Sequence, residues 1–382
     1  MNLSSLKWLG ILTALFSFSA QSTPASKDCI QDLNYLPNFL LSNDTGAKDH
    51  LKQKGQKHFN DALHQAITEA KLIKEIGECK KIAQRYLKSW RSGHLSIDAS
   101  EQMKQKLKKS PQAAKTTEKT EAKLSSLPQI EFLSEKSVLV TLSSFAPANR
   151  LPLIQLLKDN HQQLAATPNW IIDVRRNGGG SDSSYTPLLP WLIGSQRVEV
   201  GMEWLVTPEN TAAQQQICQR YDPDNKECFE WADSIVKVMQ TGVNGQFIQK
   251  GETITFKSEE NLEPKRPSRV AILISRSCGS SCEQFLLTAR QSFNVKLLGR
   301  RTYGSLDYSN LRPHLLPSGY FELSYATSKS LRLPHLPVDI AGVIPDIYLP
   351  TIEGDDEGQE VTRVKNWLES GRFILDTTEK TE

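Results

Sequence analysis

The pattern of hydrophobic and polar positions changes character along the chain. Residues 48–90 contain no proline, and apolar side chains recur at helical spacing: Phe59, Leu63, Ile67, Ala70, Ile73 and Ile76, then Ile82, Tyr86 and Leu87. Ala, Lys, Gln and Leu enrich this stretch and favour helix. The pattern predicts a small subdomain of two or three helices within residues 23–96. Across 97–128 large apolar residues become scarce and Lys, Thr, Ser and Gln accumulate. That composition predicts a solvated linker or a loose helix.

From residue 129 short β-type runs alternate with helical stretches. Residues 130–133 and 137–142 read as strands, 150–166 as a helix, and 170–174 as a buried strand. A helix is expected at 184–193 and a strand at 198–206. Residues 208–250 form a polar insertion with a helix near 229–240. A second buried strand (270–274), a helix (281–291), a third strand (295–298) and hairpin-like strands around 320–326 complete the pattern. Such alternation predicts an α/β core over 129–352 with a mostly parallel sheet, followed by a polar, helical tail over 353–382.

The N-terminus reads differently from the rest. Lys7 precedes an apolar stretch at 8–18, and small or polar residues follow it. A charged start, a core of about ten apolar residues and small residues after it are the pattern of a secretory signal peptide, here 1–22. The expected location is therefore periplasmic or extracellular. An uncleaved anchor is the alternative, but the apolar core is short of the roughly 18 residues that a span needs. No run in the mature chain reaches that length, so no transmembrane segment is expected. In an exported chain, Cys29, Cys79, Cys218, Cys228, Cys278 and Cys282 suggest disulfides. Closeness in sequence favours Cys29–Cys79, Cys218–Cys228 and Cys278–Cys282. A zinc site competes with that reading, although the close pairs lack C-x-x-C spacing. Lys plus Arg number 46 against 43 for Asp plus Glu, a balance that gives no support to nucleic-acid binding.

Ligands of open α/β sheets bind beyond the carboxyl ends of the strands. One such end is Asp173-Val-Arg-Arg-Asn-Gly-Gly-Gly180. Its glycines either let backbone N–H groups approach a ligand or form a flexible turn. The other is Ser275-Arg-Ser-Cys-Gly-Ser-Ser-Cys-Glu283. Ser280 lies there between a buried strand and a helix, placed as a nucleophile. The same Ser280-x-x-Glu283 spacing is a capping box, so the serine is equally suited to cap the helix. A serine nucleophile needs a base, and His94, His314 and His335 are candidates. Asp307, Asp339 and Asp346 are carboxylates that could orient one, and spacing does not decide among them.

Taken together these segments resemble the S41 serine peptidases, the tail-specific or C-terminal processing proteases. The family's Asp-x-Arg-x-Asn-x-Gly-Gly is matched by residues 173–180, and its Ser-rich turn three residues before Glu by Ser280 and Glu283. Gly-x-x-Thr-x-Gly is matched by Gly299, Thr302 and Gly304, and Leu-Pro-x-Gly by Leu316, Pro317 and Gly319. The final acid before Gly-Val-x-Pro-Asp is matched by Asp339, Gly342, Val343, Pro345 and Asp346. Two departures direct the resemblance within the family. Ser305 stands where Ser–Lys members carry the dyad lysine, and the 97–125 stretch is too short to hold a PDZ domain. The chain is thus similar to the tricorn-like branches, which take a His from before the core; Ser92-Gly93-His94-Leu95 has that placement.

The resemblance implies a ClpP/crotonase-like core and a serine endopeptidase acting on a peptide or protein substrate, with no cofactor and no metal. It implies Ser280 as nucleophile and His94 as general base. Asp339, where the family more usually has Glu, would orient His94, with Ser92 as a link. Backbone N–H groups of Gly178, Gly179 and Ser281 would form the oxyanion hole. A Cys278–Cys282 bond would fix the nucleophile turn. A catalytically inactive peptide- or ligand-binding protein on the same fold is the main alternative, and an esterase the second; the latter lacks Gly-x-Ser-x-Gly.

Overall fold

The protein is described from a computed structural model, which covers residues 23–108, 127–194, 196–258, 266–354 and 356–372. The expected signal peptide lies outside the described residues, as do the middle of the expected linker and the last ten residues.

Four helices open the chain: α1 (Pro24–Asn43), α2 (Ala47–Lys54), α3 (Gln56–Ala70) and α4 (Cys79–Trp90). Thr23 caps α1 by accepting from the Ser26 N–H, and Pro24 suits the first helical turn. Cys29, Leu33, Leu36 and Leu40 form its buried stripe; α4 buries Cys79, Ile82, Ala83, Tyr86, Leu87 and Trp90. Phe59 of α3 stacks on Trp90 with ring centroids 4.1 Å apart. A short strand, β1 (Ser96–Ala99), and α5 (Glu101–Lys108) follow. The polar linker therefore begins later than its composition suggests, because β1 is paired in a sheet.

The α/β core contains β2 (Gln129–Ser134), β3 (Ser137–Thr141), α6 (Arg150–Asp159), α7 (His161–Ala166), β4 (Asn169–Asp173) and α8 (Leu189–Leu192). Next come β5 (Gln196–Val200), β6 (Met202–Leu205), α9 (Pro208–Tyr221), α10 (Lys226–Met239), β7 (Phe247–Gln249) and β8 (Ile254–Ser258). The chain continues with β9 (Arg269–Ile274), α11 (Ser281–Ala289), β10 (Val295–Gly299), β11 (Tyr308–Leu315), β12 (Phe321–Ser330), β13 (Ile347–Tyr348) and α12 (Glu357–Ser370). The main sheet has the order β13-β10-β9-β4-β3-β2, all parallel except β2. Alternate residues of its strands bury opposite faces. Trp170, Ile172, Val270 and Ile272 face the larger core with Phe285 of α11. Ile171, Ala271 and Leu273 face Val361, Val364 and Leu368 of α12. The polar tail thus carries a helix that closes the second face of the sheet.

The second sheet joins β1, β12, β6 and β7, with β11 paired to β12. Phe321, Leu323 and Tyr325 of β12 share one core with the N-terminal helices. Several expected elements are shorter than their patterns suggest. Asn160 divides the 150–166 helix, and prolines 187 and 190 confine the 184–193 helix to α8. Gly201 separates β5 from β6, where a Cβ would lie 2.9 Å from the Glu252 carbonyl oxygen. The insertion is two helices, α9 and α10, over a small core of Trp204, Val206, Ile235 and Met239.

All six cysteines are paired: Cys29–Cys79, Cys218–Cys228 and Cys278–Cys282. The first spans 50 residues and ties α1 to the start of α4. Closing a loop of that size removes denatured-state entropy worth about 4 kcal/mol. Replacing both Cys29 and Cys79 by serine should lower the unfolding free energy by about that amount in a urea melt. An unchanged melt would mean that the bond constrains nothing the helices do not already hold.

Candidate active site

Strands β4 and β9 are parallel neighbours, with Asp173 opposite Leu273. The loops that leave their carboxyl ends therefore run side by side, bringing the glycine run at 178–180 to Ser280. The contact is tight. A Cβ on Gly179 would lie 2.7 Å from both the Gly279 carbonyl oxygen and the Ser280 Cβ, and 3.1 Å from the Ser281 nitrogen. Gly179 also has φ of 101°, which side chains rarely adopt. The acid and arginine before the glycines act on the scaffold. Arg175 Nη2 donates to Asp173 at 2.6 Å and Nη1 to Glu360 of α12 at 2.6 Å.

The turn from β9 into α11 places Ser280 at φ 57°, ψ −127°. Positive φ is uncommon for a serine and persists where the surroundings over-determine it. Here they do. The Ser280 N–H donates to the Ser305 carbonyl at 3.0 Å and to Glu283 Oε2 at 3.2 Å. Buried Glu283 also accepts from the N–H groups of Gly304 (2.7 Å) and Ser305 (2.8 Å) and from the Thr302 hydroxyl. Burial raises the Glu283 pKa and these hydrogen bonds oppose the rise. The capping box links Ser280 and Glu283, with the Glu283 carboxylate accepting from the Ser280 N–H. Capping occupies a lone pair and leaves the hydroxyl proton available to a base, so the two roles do not exclude each other. The buried Cys278–Cys282 bond encloses the turn.

His94 lies between α4 and β1, also at positive φ (51°). Its Nδ1 donates to the Tyr308 carbonyl oxygen at 2.6 Å. A carbonyl can only accept, so the proton sits on Nδ1 and Nε2 keeps its lone pair. Gly93 packs on Ser305 so closely that a Cβ would lie 2.6 Å from the Ser305 Oγ. Ser305 in turn accepts from the Ser280 N–H, and these two contacts join the His94 loop to the Ser280 turn. Burial, and then Arg91, push the His94 pKa down to about 4, against the opposing effects of the Tyr308 hydrogen bond and Asp44.

Other expected roles are placed differently. Asp339 Oδ1 accepts from the N–H groups of Leu306 (2.6 Å) and Asp307 (2.8 Å); it makes no hydrogen bond to His94. Asp307 reciprocates, accepting from the N–H groups of Val338 and Asp339. The two acids lock the loop before Tyr308, so Asp339 acts one step away from the imidazole. Ser92 meets the site through its carbonyl, which accepts from the Tyr303 hydroxyl, rather than through its own hydroxyl. The Gly179 N–H is occupied by Asn177 Oδ1 at 2.9 Å, which removes it as an oxyanion donor. The N–H groups of Gly178 and Ser281 have no acceptor among the described residues. His314 is distant from the turn, held between Tyr35 and Glu209. Two contributors were invisible in sequence. The Tyr308 carbonyl is backbone and leaves no residue signature. Arg91, whose Nε donates to the Gly93 carbonyl and Nη2 to the His94 carbonyl, belongs to no motif in the sequence. Among the described residues no cluster of His, Cys, Asp or Glu could hold a metal ion.

The sequence model of peptidase family S41 matches residues 136–349, more than half of the chain. This chain belongs to that family. Membership makes it a serine-type peptidase. The fold is similar to that of mature CPAF, at 12% identity and TM-score 0.60, over 91% of this chain and 98% of CPAF. A serine-to-alanine mutant of CPAF matches at 11% identity and TM-score 0.62, over 92% of this chain and all of that one. No curated protein matches the sequence.

The Gly179 contacts give a test. Gly179→Ala should leave the fold intact and lower the rate of serine labelling by about a hundredfold, because the new methyl must displace the nucleophile turn. An alanine variant that labels at the wild-type rate would show that the turn tolerates displacement.

Proposed function

We propose that this S41 chain is an exported endopeptidase that cuts peptide bonds through an acyl-enzyme on Ser280, with His94 as general base. The observation that carries the reading is a strained serine at the start of α11, joined through Ser305 to the loop of a histidine whose Nδ1 is engaged and whose Nε2 is free. Export is supported by the signal-type N-terminus and three disulfides.

In this mechanism Nε2 of His94 takes the hydroxyl proton as Ser280 Oγ bonds to the substrate carbonyl carbon. The N–H groups of Gly178 and Ser281 receive the negative charge that develops on the carbonyl oxygen. The Ser281 N–H adds the field of a helix N-terminus. The imidazolium then gives its proton to the leaving amine as the C–N bond breaks. Water, deprotonated by the same nitrogen, releases the acid product and restores Ser280. Asp339 and Asp307 contribute by fixing the backbone that carries the Tyr308 carbonyl.

A fluorophosphonate probe tests the reading directly. Wild type should label, and Ser280→Ala and His94→Ala should not, with all three folded. A folded wild type that resists labelling from pH 6 to 9 would favour a peptide-binding protein. The hydrogen-bonding of Asp339 to backbone rather than to His94 is the observation that motivates that second reading.

The pH dependence is distinctive. His94 must be neutral to act, so labelling should hold through pH 5 and fall with a midpoint of about 4, well below the usual 6.5. His50, packed against the Tyr308 ring, is likewise lowered to about 4, by burial first and then by Arg91. The unfolded chain takes up protons on both rings near 6.5, earlier than the folded chain. Their contribution to stability is therefore full above 6.5 and lost as pH falls towards 4. The profile should accordingly be recorded alongside circular dichroism. A midpoint of 6.5 or above in folded protein would remove His94 in this setting as the base.

A further inference from the structure

Tyr303 sits between two residues that the family pattern marks, Thr302 and Gly304, and no role attaches to its side chain in the mechanism above. Its backbone is fixed on the nucleophile side: the N–H donates to the Cys278 carbonyl at 2.8 Å. Its Cβ, Cγ and Cδ1 lie within 4.0 Å of where a Cβ on Gly279 would stand, so the ring rests over the residue before Ser280. The hydroxyl at the far end of the ring donates to the Ser92 carbonyl at 2.9 Å, two residues before His94. The side chain therefore spans from the nucleophile turn to the base loop. It is also 43% exposed, although both ends are engaged.

These contacts differ in kind from the others that hold His94. Arg91 and Tyr308 grip the base loop through the His94 carbonyl and Nδ1, and Gly93 rests on Ser305. Among the described residues, Tyr303 is the side chain that hydrogen-bonds the base loop while lying against Gly279. The aromatic side chain there lies against the residue preceding Ser280 and is partly exposed. Ile340 is tied to the residue after Tyr303: its N–H donates to the Gly304 carbonyl, it is 70% exposed, and it holds φ of 72°. Positive φ in a β-branched residue is a genuine outlier.

We infer that Tyr303 is a positioning residue that sets the approach of His94 to Ser280 through its hydroxyl, and that its ring forms one wall of the subsite beside the scissile bond. The inference rests on the peptidase reading. The two parts of the side chain are separable. Tyr303→Phe keeps the wall and removes one hydrogen bond, which should lower fluorophosphonate labelling and casein kcat by about tenfold and leave the casein KM unchanged. Tyr303→Ala should lower labelling to a similar extent and also raise the casein KM. Neither should move the acid midpoint of the labelling profile, because the hydroxyl does not touch the imidazole. A merely structural tyrosine would lower the thermal midpoint and leave the labelling rate of folded protein at the wild-type value. Labelling of Tyr303→Phe at the wild-type rate overturns the inference and spares the peptidase reading; a wild type that does not label overturns both. An unchanged KM in Tyr303→Ala removes the subsite wall.

Discussion

The buried ion pair between Arg91 and Asp44 is the interaction on which the site depends. Both side chains are almost fully withdrawn from solvent. The carboxylate takes the fork of the guanidinium and also accepts from the N–H groups of Gly46 and Ala326. The remaining guanidinium donors go to the carbonyls of Gly93 and His94. One pair thus connects the end of α1, the middle of β12 and the loop carrying the base. Removing one partner would leave a buried charge uncompensated, at a cost of about 3–5 kcal/mol. A lysine could not substitute, since a point charge lacks the planar fork that reaches two carbonyls and a carboxylate together.

Glu283 performs the corresponding task for Ser280. Its carboxylate collects N–H groups from Ser280, Gly304 and Ser305, and so binds the start of α11 to the loop after β10. That loop leads into Tyr308, whose carbonyl holds the His94 ring. The two buried acids therefore hold different segments, Asp44 through Arg91 the loop at 93–94 and Glu283 the loop at 304–305. Asp44 works through Arg91 from the helical region, and Glu283 works from the core. The N-terminal helices share a core with β12, and that shared core fixes the loop carrying His94 against the second sheet.

The motifs were legible because each needs a particular residue type. Only glycine fits at 179, and a serine before a helix with Glu three residues later is a strong local signal. The parallel core was legible from runs such as 170–174, which are buried on both faces. What the sequence hid falls into two kinds. Backbone partners, such as the Tyr308 carbonyl and the occupied N–H of Gly179, carry no residue signature. Polar elements with sparse apolar positions, such as β1, are fixed by tertiary pairing: Ile97 reads as a linker residue until β12 is placed beside it. The partners of Asp339 are hidden for a related reason. Family position identifies the acid, but the carboxylate turns to backbone N–H groups that only the folded loop presents.

The missing dyad lysine follows from the same geometry. Ser305 occupies that position and is buried against Gly93. At this contact a Cβ on Gly93 would already lie 2.6 Å from Ser305 Oγ and 2.7 Å from its Cβ. A lysine stem at 305 would have to pass through the space that the base loop fills. Conversely, any residue larger than glycine at 93 would push the loop off Ser305 and carry His94 away from Ser280. Small residues at both positions are therefore a single requirement. This packing leaves no room for a lysine stem at 305, and the proposed mechanism accordingly takes its base from the N-terminal region, as His94.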